Sequence, residues 1–238
     1  MRKSKIVAMV LAGGVGARMG SPVPKQFAII KDKPIIVYTL EIFQKSVSVD
    51  EIVVVLLKEW NDILEKYISQ YNLTKVRKIV FGGATGFESI HNGVRYLATA
   101  YHDTDIILIH DAVRPLLTEE VINANITGVE EHGNAVTVVP STEALLFSED
   151  GKVSKRTIDR NLILRTQTPQ SLRLGDLIEL HEEAQLAGVT DTVATCTLLI
   201  EMGHQVYVVP GDNSNFKLTT VEDLTLFEAC LEAKRASR

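Results

Sequence analysis

The sequence predicts an α/β fold built on a mostly parallel sheet, and three observations carry that prediction. Apolar runs rich in valine, isoleucine and leucine alternate along the chain with segments of helical periodicity. The runs are continuous rather than interleaved with polar residues, the pattern of parallel strands covered on both faces. At 238 residues, 45% hydrophobic and 23% charged, the chain has ordinary globular usage and fits one large domain spanning 1–238.

Taken in order, strands are expected at 6–11, 52–57, 76–81, 106–109, 135–139 and 205–209. Helices are expected at 34–44, 60–71, 86–101, 118–132, 174–187, 192–202 and 220–234, the last opened by a capping box of the form Thr219-Thr220-Val221-Glu222. Between 140 and 166 the alternation breaks. Ser148-Glu149-Asp150-Gly151-Lys152 is a turn signal between Leu145-Leu146-Phe147 and residues 153–158, so this segment reads as a protruding β-hairpin arm, free to meet a second subunit.

Charge and cysteine usage narrow the class. A net charge of −5 gives no reason to expect nucleic acid or an anionic membrane as a partner. Cys196 and Cys230 are too few for a disulfide framework and sit in no metal-ligand spacing. The apolar run after Met1-Arg2-Lys3-Ser4-Lys5 is too short for a signal or a membrane span, and no other run reaches about 18 residues, so a cytoplasmic protein is expected.

The chemistry centres on residues 11–27. Leu11-Ala12-Gly13-Gly14-Val15-Gly16-Ala17-Arg18-Met19-Gly20 follows the first strand and runs on to Pro24-Lys25-Gln26-Phe27. Glycines let successive backbone N–H groups cradle phosphate oxygens, and Arg18 and Lys25 supply the charge a triphosphate needs. The loop is not Gly-x-x-x-x-Gly-Lys-Ser/Thr. A dinucleotide fingerprint starting at Gly14 would need glycine in place of Met19 and an acidic residue ending the next strand, where Lys58 stands.

A second cluster, His110-Asp111-Ala112-Val113-Arg114-Pro115, follows the strand at 106–109, and ligands of open α/β sheets bind beyond the carboxyl ends of strands. Asp111 can there hold Mg²⁺ or orient an acceptor group beside a triphosphate, and Arg114 can reach an acceptor phosphate. His110 is expected to pack or hydrogen-bond rather than react. After the third strand, Gly82-Gly83-Ala84-Thr85 offers backbone groups to a base edge, and Ser89 can reach the base or ribose.

These motifs, together with Thr157-Ile158-Asp159-Arg160, Gln167-Thr168-Pro169-Gln170 and Asn215-Phe216-Lys217-Leu218-Thr219, resemble the cytidylyltransferases that make CDP-methylerythritol and CDP-ribitol. The likeness runs from Ile6 to about Leu224. It implies a single-domain, Rossmann-like nucleotidyltransferase fold of the GT-A-like type, and Mg²⁺-dependent transfer of CMP from CTP to a small phosphorylated acceptor with release of pyrophosphate. On this reading Leu11, Ala12, Gly13, Gly14, Gly16, Gly82, Gly83, Ser89 and Asp111 bind CTP, with Asp111 also the metal ligand. Arg18 and Lys25 stabilise the pentavalent transition state, and Lys217 contacts phosphate. The resemblance further implies a homodimer in which the arm at 140–166 embraces the partner and carries Arg160 into the partner's acceptor site. No general base is required, because a phosphate monoester is already anionic at neutral pH.

The acceptor half matches the methylerythritol enzymes less well. Pro140-Ser141-Thr142-Glu143-Ala144 lacks their threonine after the arm's acidic residue, Val193-Ala194-Thr195-Cys196 stands where they carry Thr-Asp-Glu-Ala, and Gly86 stands where the family usually has arginine. Thr157-Ile158-Asp159-Arg160 looks like the methylerythritol enzymes, whereas Ala12-Gly13-Gly14 and Phe216-Lys217-Leu218-Thr219-Thr220 look more like the ribitol enzymes. The expected acceptor is a polyol phosphate such as ribitol 5-phosphate or 2-C-methyl-D-erythritol 4-phosphate, bound with help from Arg114, Glu143 and Arg160. Alternatives are a phosphonate such as 2-aminoethylphosphonate, whose ammonium Glu143 could pair with, a sugar-phosphate nucleotidyltransferase using UTP or another nucleotide, and a catalytically silent assembly protein.

Overall fold

A computed structural model of the chain describes residues 3–14, 23–192 and 194–236. In chain order its elements begin with β1 (Ile6–Ala12), the short strands β2 (Ile29–Ile30) and β3 (Lys33–Pro34), α1 (Ile35–Lys45), β4 (Glu51–Leu56), α2 (Asn61–Gln70) and β5 (Val76–Phe81). There follow α3 (Gly86–Ala100), β6 (Ile106–Asp111), α4 (Glu119–His132), β7 (Asn134–Pro140), β8 (Leu145–Phe147) and β9 (Arg156–Ile158). The chain continues through β10 (Leu164–Arg173), α5 (Leu174–Leu186), α6 (Thr195–Glu201), β11 (Val208–Pro210) and α7 (Val221–Ala236).

Seven strands form the central sheet in the order β11-β7-β10-β6-β1-β4-β5. β1 lies parallel between β4 and β6, β5 pairs parallel with β4, and β11 pairs parallel with β7. β10 alone runs against the others, antiparallel to both β6 and β7. The fold is therefore α/β with a mostly parallel sheet, as expected.

Period-two alternation explains why the strands read as unbroken apolar runs. Along β1, Ile6, Ala8, Val10 and Ala12 enter one core cluster with Leu40 and Phe43 of α1, Leu64 of α2 and Ile122 of α4. Val7 and Met9 enter a second cluster on the opposite face, with Val94 and Leu97 of α3, Leu177 and Leu180 of α5 and Leu198 of α6. Both faces are dry, so neither can be polar. Strands open toward the same side, which places the segments after β1, β4, β5 and β6 together at their carboxyl ends.

Three sequence expectations are corrected here. The strand β10 was not expected at all, because its sequence is polar and contains Pro169, a residue that cannot donate to a ladder. The ladder to β7 shifts register between Thr166 and Gln170, around that proline, and the polar side chains are satisfied internally: Ser171 donates to Asn125 Oδ1 at 2.9 Å, and Thr137 donates to the Pro169 carbonyl at 2.6 Å. The last sheet strand starts three residues later than expected, at Val208. The cap of α7 is shifted by one: Asp223 accepts from the Thr220 N–H and Thr220 Oγ1 accepts from the Asp223 N–H, so the box is Thr220 with Asp223.

The arm takes the expected form. β8 and β9 pair as a separate two-stranded antiparallel sheet, Leu145 opposite Ile158, and Asp150 Oδ1 closes the turn by accepting from the N–H groups of Lys152 and Val153. Leu146, Val153 and Leu162 are exposed on this segment.

Candidate active site

A cavity of about 680 Å³ opens at the carboxyl ends of the parallel strands. One wall is the start of the glycine-rich loop, Leu11, Ala12, Gly13 and Gly14, with Lys25 and Gln26. A second is the turn after β5, residues 83–86, with Ser89 and Ile90 of α3. Asp111, Ala112 and Val113 after β6 form a third, faced by Lys217 and Thr219, and Leu57, Glu59 and Thr192 complete it. Of the residues expected at the site, Leu11, Ala12, Gly13, Gly14, Lys25, Gly83, Ser89, Asp111 and Lys217 are thus brought together. Gly16 and Arg18 lie outside the described residues.

Asp111 is held by cations on both sides. Its Oδ1 lies 3.2 Å from Lys217 Nζ and its Oδ2 lies 3.0 Å from Arg114 Nε. Burial opposes ionisation of this carboxyl, but Lys217 and Arg114 outweigh it and hold its pKa below the usual carboxylate value. The Asp111 N–H donates to Thr168 Oγ1 at 3.1 Å, which ties the end of β6 to the Gln-Thr-Pro-Gln segment of β10.

His110 behaves as a buried structural group. Its Nδ1 lies 3.0 Å from Thr168 Oγ1 and its Nε2 lies 3.2 Å from the Arg114 carbonyl. A carbonyl only accepts, so Nε2 carries the proton and Nδ1 accepts from the threonine hydroxyl, leaving the imidazole neutral. Burial pushes its pKa down to about 4, which agrees with that state.

Arg114 does not line the cavity. Its Nε is taken by Asp111 and its Nη1 donates to the Asn215 carbonyl at 2.8 Å, so the guanidinium braces the Asp111 and Asn215 turns. Asn215 is fully buried and donates to the Thr168 carbonyl at 2.9 Å, which seats Lys217 two residues on. Glu143 and Arg160 also stay clear of the cavity within one chain. Arg160 is exposed on the arm, its Nη1 donating to the Thr142 carbonyl at 3.0 Å.

The turn after β5 is tightly bound to α3. The N–H of Gly82 donates to the Leu56 carbonyl, that of Gly83 to Ser89 Oγ at 3.1 Å, and that of Ala84 to Glu88 Oε2 at 2.7 Å. A Cβ on Gly82 would stand 2.8 Å from Ser89 Oγ, and one on Gly83 would stand 2.3 Å from Glu88 Cβ, so both positions exclude a side chain. Gly82 underlies the wall without lining it. These three N–H groups are used internally, so a base edge meets the carbonyls of Gly83 and Ala84 and the backbone of Thr85 and Gly86 at the start of α3.

Gln26, Glu59, Thr192 and Thr219 also line the cavity, although the sequence marked none of them as a site residue. Gln26 sits in the Pro24-Lys25-Gln26-Phe27 motif that signalled the loop, yet its burial is a tertiary event. Glu59 and Thr192 enter the cavity from segments without any local signature. Among the described residues no group of three or more His, Cys, Asp or Glu side chains could hold a metal ion. Asp111 is a single carboxylate beside the glycine-rich loop, and Mg²⁺ is commonly held by one or two carboxylates plus substrate phosphates.

Fold and cavity together define the class: an α/β protein that presents a glycine-rich loop, two lysines and a braced carboxylate at the carboxyl ends of parallel strands. Residues 6–233 match the family described as IspD: 2-C-methyl-D-erythritol 4-phosphate cytidylyltransferase, and the chain belongs to that family. It is 41% identical to the ribitol-5-phosphate cytidylyltransferase of Lacticaseibacillus paracasei over 96% of this chain and 99% of the relative. It is 36% identical to the 2-C-methyl-D-erythritol 4-phosphate cytidylyltransferase of Geobacter metallireducens over 96% of this chain and 98% of the relative. Among solved structures, a 2-C-methyl-D-erythritol 4-phosphate cytidylyltransferase from Francisella tularensis superposes with a TM-score of 0.76 at 27% identity, covering 94% of this chain and 98% of that one. The family resemblance read from the motifs therefore holds along the chain, and the fold expected from it is found.

Proposed function

We propose that this protein catalyses transfer of CMP from CTP to ribitol 5-phosphate, giving CDP-ribitol and pyrophosphate. The observation that carries the reading is the convergence of Lys25, Asp111 and Lys217 on a cavity bordered by the start of the glycine-rich loop. The choice of acceptor is supported by relatives named ribitol-5-phosphate cytidylyltransferase at 36–41% identity, and by the departures at Ala144, Val193 and Ala194 from the methylerythritol pattern. Among the described residues that line the cavity, none favours the phosphonate or sugar-phosphate alternatives.

A phosphate oxygen of the acceptor attacks the α-phosphorus of CTP in line, and the bond to the β-phosphate oxygen breaks with departure of pyrophosphate. The protein's task is positioning and charge stabilisation. Lys25, with Arg18, neutralises charge developing on the transferring phosphorus. Lys217 approaches the α-phosphate and is held in place by Asp111, which Arg114 and Thr168 fix in turn. Asp111 would hold Mg²⁺, whose contribution is to neutralise the triphosphate. At the base end, the carbonyls of Gly83 and Ala84 accept from the exocyclic amine of cytosine, a donor that uracil lacks, and Ser89 reaches the base or ribose.

The chain works as a single domain in a cytoplasmic homodimer, where CTP is supplied. The exposed apolar side chains of the arm, Leu146, Val153 and Leu162, cover a partner, and Arg160 and Glu143 complete the partner's acceptor site. No helix among the described residues is long and apolar enough to cross a membrane. The test is pyrophosphate release by the purified protein with each of the four nucleoside triphosphates against a panel of polyol phosphates, phosphonates and sugar phosphates. CTP with a polyol phosphate is the expected pair, and release with another nucleotide on a sugar 1-phosphate alone would overturn the reading.

A further inference from the structure

We infer that Gln26 is a positioning residue of the transfer reaction, fixing the start of the glycine-rich loop and the placement of Lys25 through its carboxamide. The inference rests on the proposed CMP transfer and deepens it.

Gln26 is only 2% exposed although it lies in the cavity wall. Its Nε2 donates to the Ala12 carbonyl at 2.7 Å and to the Gly14 carbonyl at 3.0 Å. An amide nitrogen carries two hydrogens, so these bonds use both. The loop thus leaves β1 and, a dozen residues later in sequence, is clamped to its own origin by one side chain.

The clamp matters because of what it does to dipoles. A planar trans peptide unit points its C=O and N–H in opposite directions. Turning the Ala12 oxygen onto Gln26 therefore directs the Gly13 N–H away from it. Carbonyl oxygens free to face a triphosphate would repel it, whereas oxygens held by the amide cannot. The same amide is adjacent to Lys25. On the other side, Phe27 is 4% exposed and stacks on Trp60 with ring centroids 4.9 Å apart, and its N–H closes the turn on the Pro24 carbonyl at 2.9 Å. Lys25 is therefore carried by a turn anchored by two consecutive buried side chains. A glutamate at position 26 would set a carboxylate against two carbonyls, and a methionine would keep the volume while supplying no donor.

The test compares Gln26→Met and Gln26→Glu with the wild type, reading kcat/KM for CTP from pH 6 to 8.5 with ribitol 5-phosphate and Mg²⁺. Gln26→Met should lose on the order of 10-fold or more at every pH, the scale of an unmade pair of buried hydrogen bonds. Gln26→Glu should lose more at pH 8.5 and recover toward pH 6. Burial and the facing carbonyls raise its carboxyl pKa, and the protonated form regains one donor. The double variant Gln26→Met/Lys25→Ala should lose less than the product of the single losses, since both act on one element. A Gln26→Met activity within twofold of wild type, a Gln26→Glu to wild-type ratio that does not change with pH, or strict multiplicativity with Lys25→Ala would each overturn the inference. If Gln26→Glu does not fold, the Met variant and the double variant still decide. A wild type that transfers CMP to no polyol phosphate overturns the underlying reading as well, whereas an active wild type with indifferent Gln26 variants removes Gln26 alone.

Discussion

Lys217 Nζ lies 3.2 Å from Asp111 Oδ1, a contact between residues 106 positions apart that joins the end of β6 to the turn before α7. With Arg114 on the other carboxylate oxygen, Asp111 is the hub that sets where the Lys217 charge stands. Asp111→Asn should therefore lower turnover on the order of 10²-fold, and Lys217→Ala by a similar amount, as for other charge-stabilising groups. Because the two act as a unit, the double variant should be little worse than either single one. Multiplicative losses in kcat would show that the contact does not matter to the reaction.

The cations of the loop make a separate prediction. Lys25→Ala and Arg18→Ala should each reduce kcat on the order of 10²-fold or more while melting temperature stays near wild type. Near-normal turnover in either variant would remove that residue from the transition state.

The same residues show what the sequence made legible. The parallel strands and six of the seven helices were found to within a residue or two at most ends, because a sheet dry on both faces leaves unbroken apolar runs such as 52–57 and because caps such as Thr118 mark helix starts. The arm was legible from Asp150-Gly151. β10 was not, since Ser171 and Gln170 are buried by hydrogen-bonding partners rather than by apolar character, and no periodicity records that. At the site, charged residues next to strand ends were readable, but their orientation was not. Arg114 turns inward because Asp111 and the Asn215 carbonyl capture it, and Asn215 is a hundred residues away in sequence. Gln26 was hidden for the same reason: a buried amide and an exposed one are spelled alike.

Acid should destabilise the fold before it touches the carboxylates. His110 and His181 are buried, and burial pushes each imidazole pKa down to about 4 from an unfolded value near 6.5. As pH falls through that interval the unfolded chain takes up protons the folded chain refuses, so stability declines, by on the order of 3 kcal/mol per histidine once pH reaches about 4. The depressed pKa of Asp111 adds a further loss at still lower pH, again as pH falls. Among the described residues neither ring nitrogen of His181 has a hydrogen-bond partner, and the ring stacks on Phe87 at 5.1 Å. His181→Phe should accordingly keep turnover and flatten the decline of Tm between pH 7 and 5. An unchanged slope would show that His181 does not contribute.

A dimer in which the arm completes the neighbouring site makes complementation possible. Mixing Arg160→Ala subunits with Lys25→Ala subunits should restore partial activity, because some mixed dimers then contain one intact site. Absence of recovery after verified subunit exchange would place Arg160 in the site of its own chain.

The central claim, that the cavity transfers CMP to a polyol phosphate, is tested most directly by following CTP labelled at its α-phosphorus with Mg²⁺ and either ribitol 5-phosphate or 2-C-methyl-D-erythritol 4-phosphate. Label is expected in CDP-ribitol, with one pyrophosphate per product and a kcat/KM for ribitol 5-phosphate above that for the methylerythritol acceptor, whose hydroxyls would meet no hydrogen-bonding side chain at Ala144 and Ala194. Label that remains in CTP or appears only as free CMP would contradict the claim itself, and a methylerythritol value at or above the ribitol value would contradict the choice of acceptor.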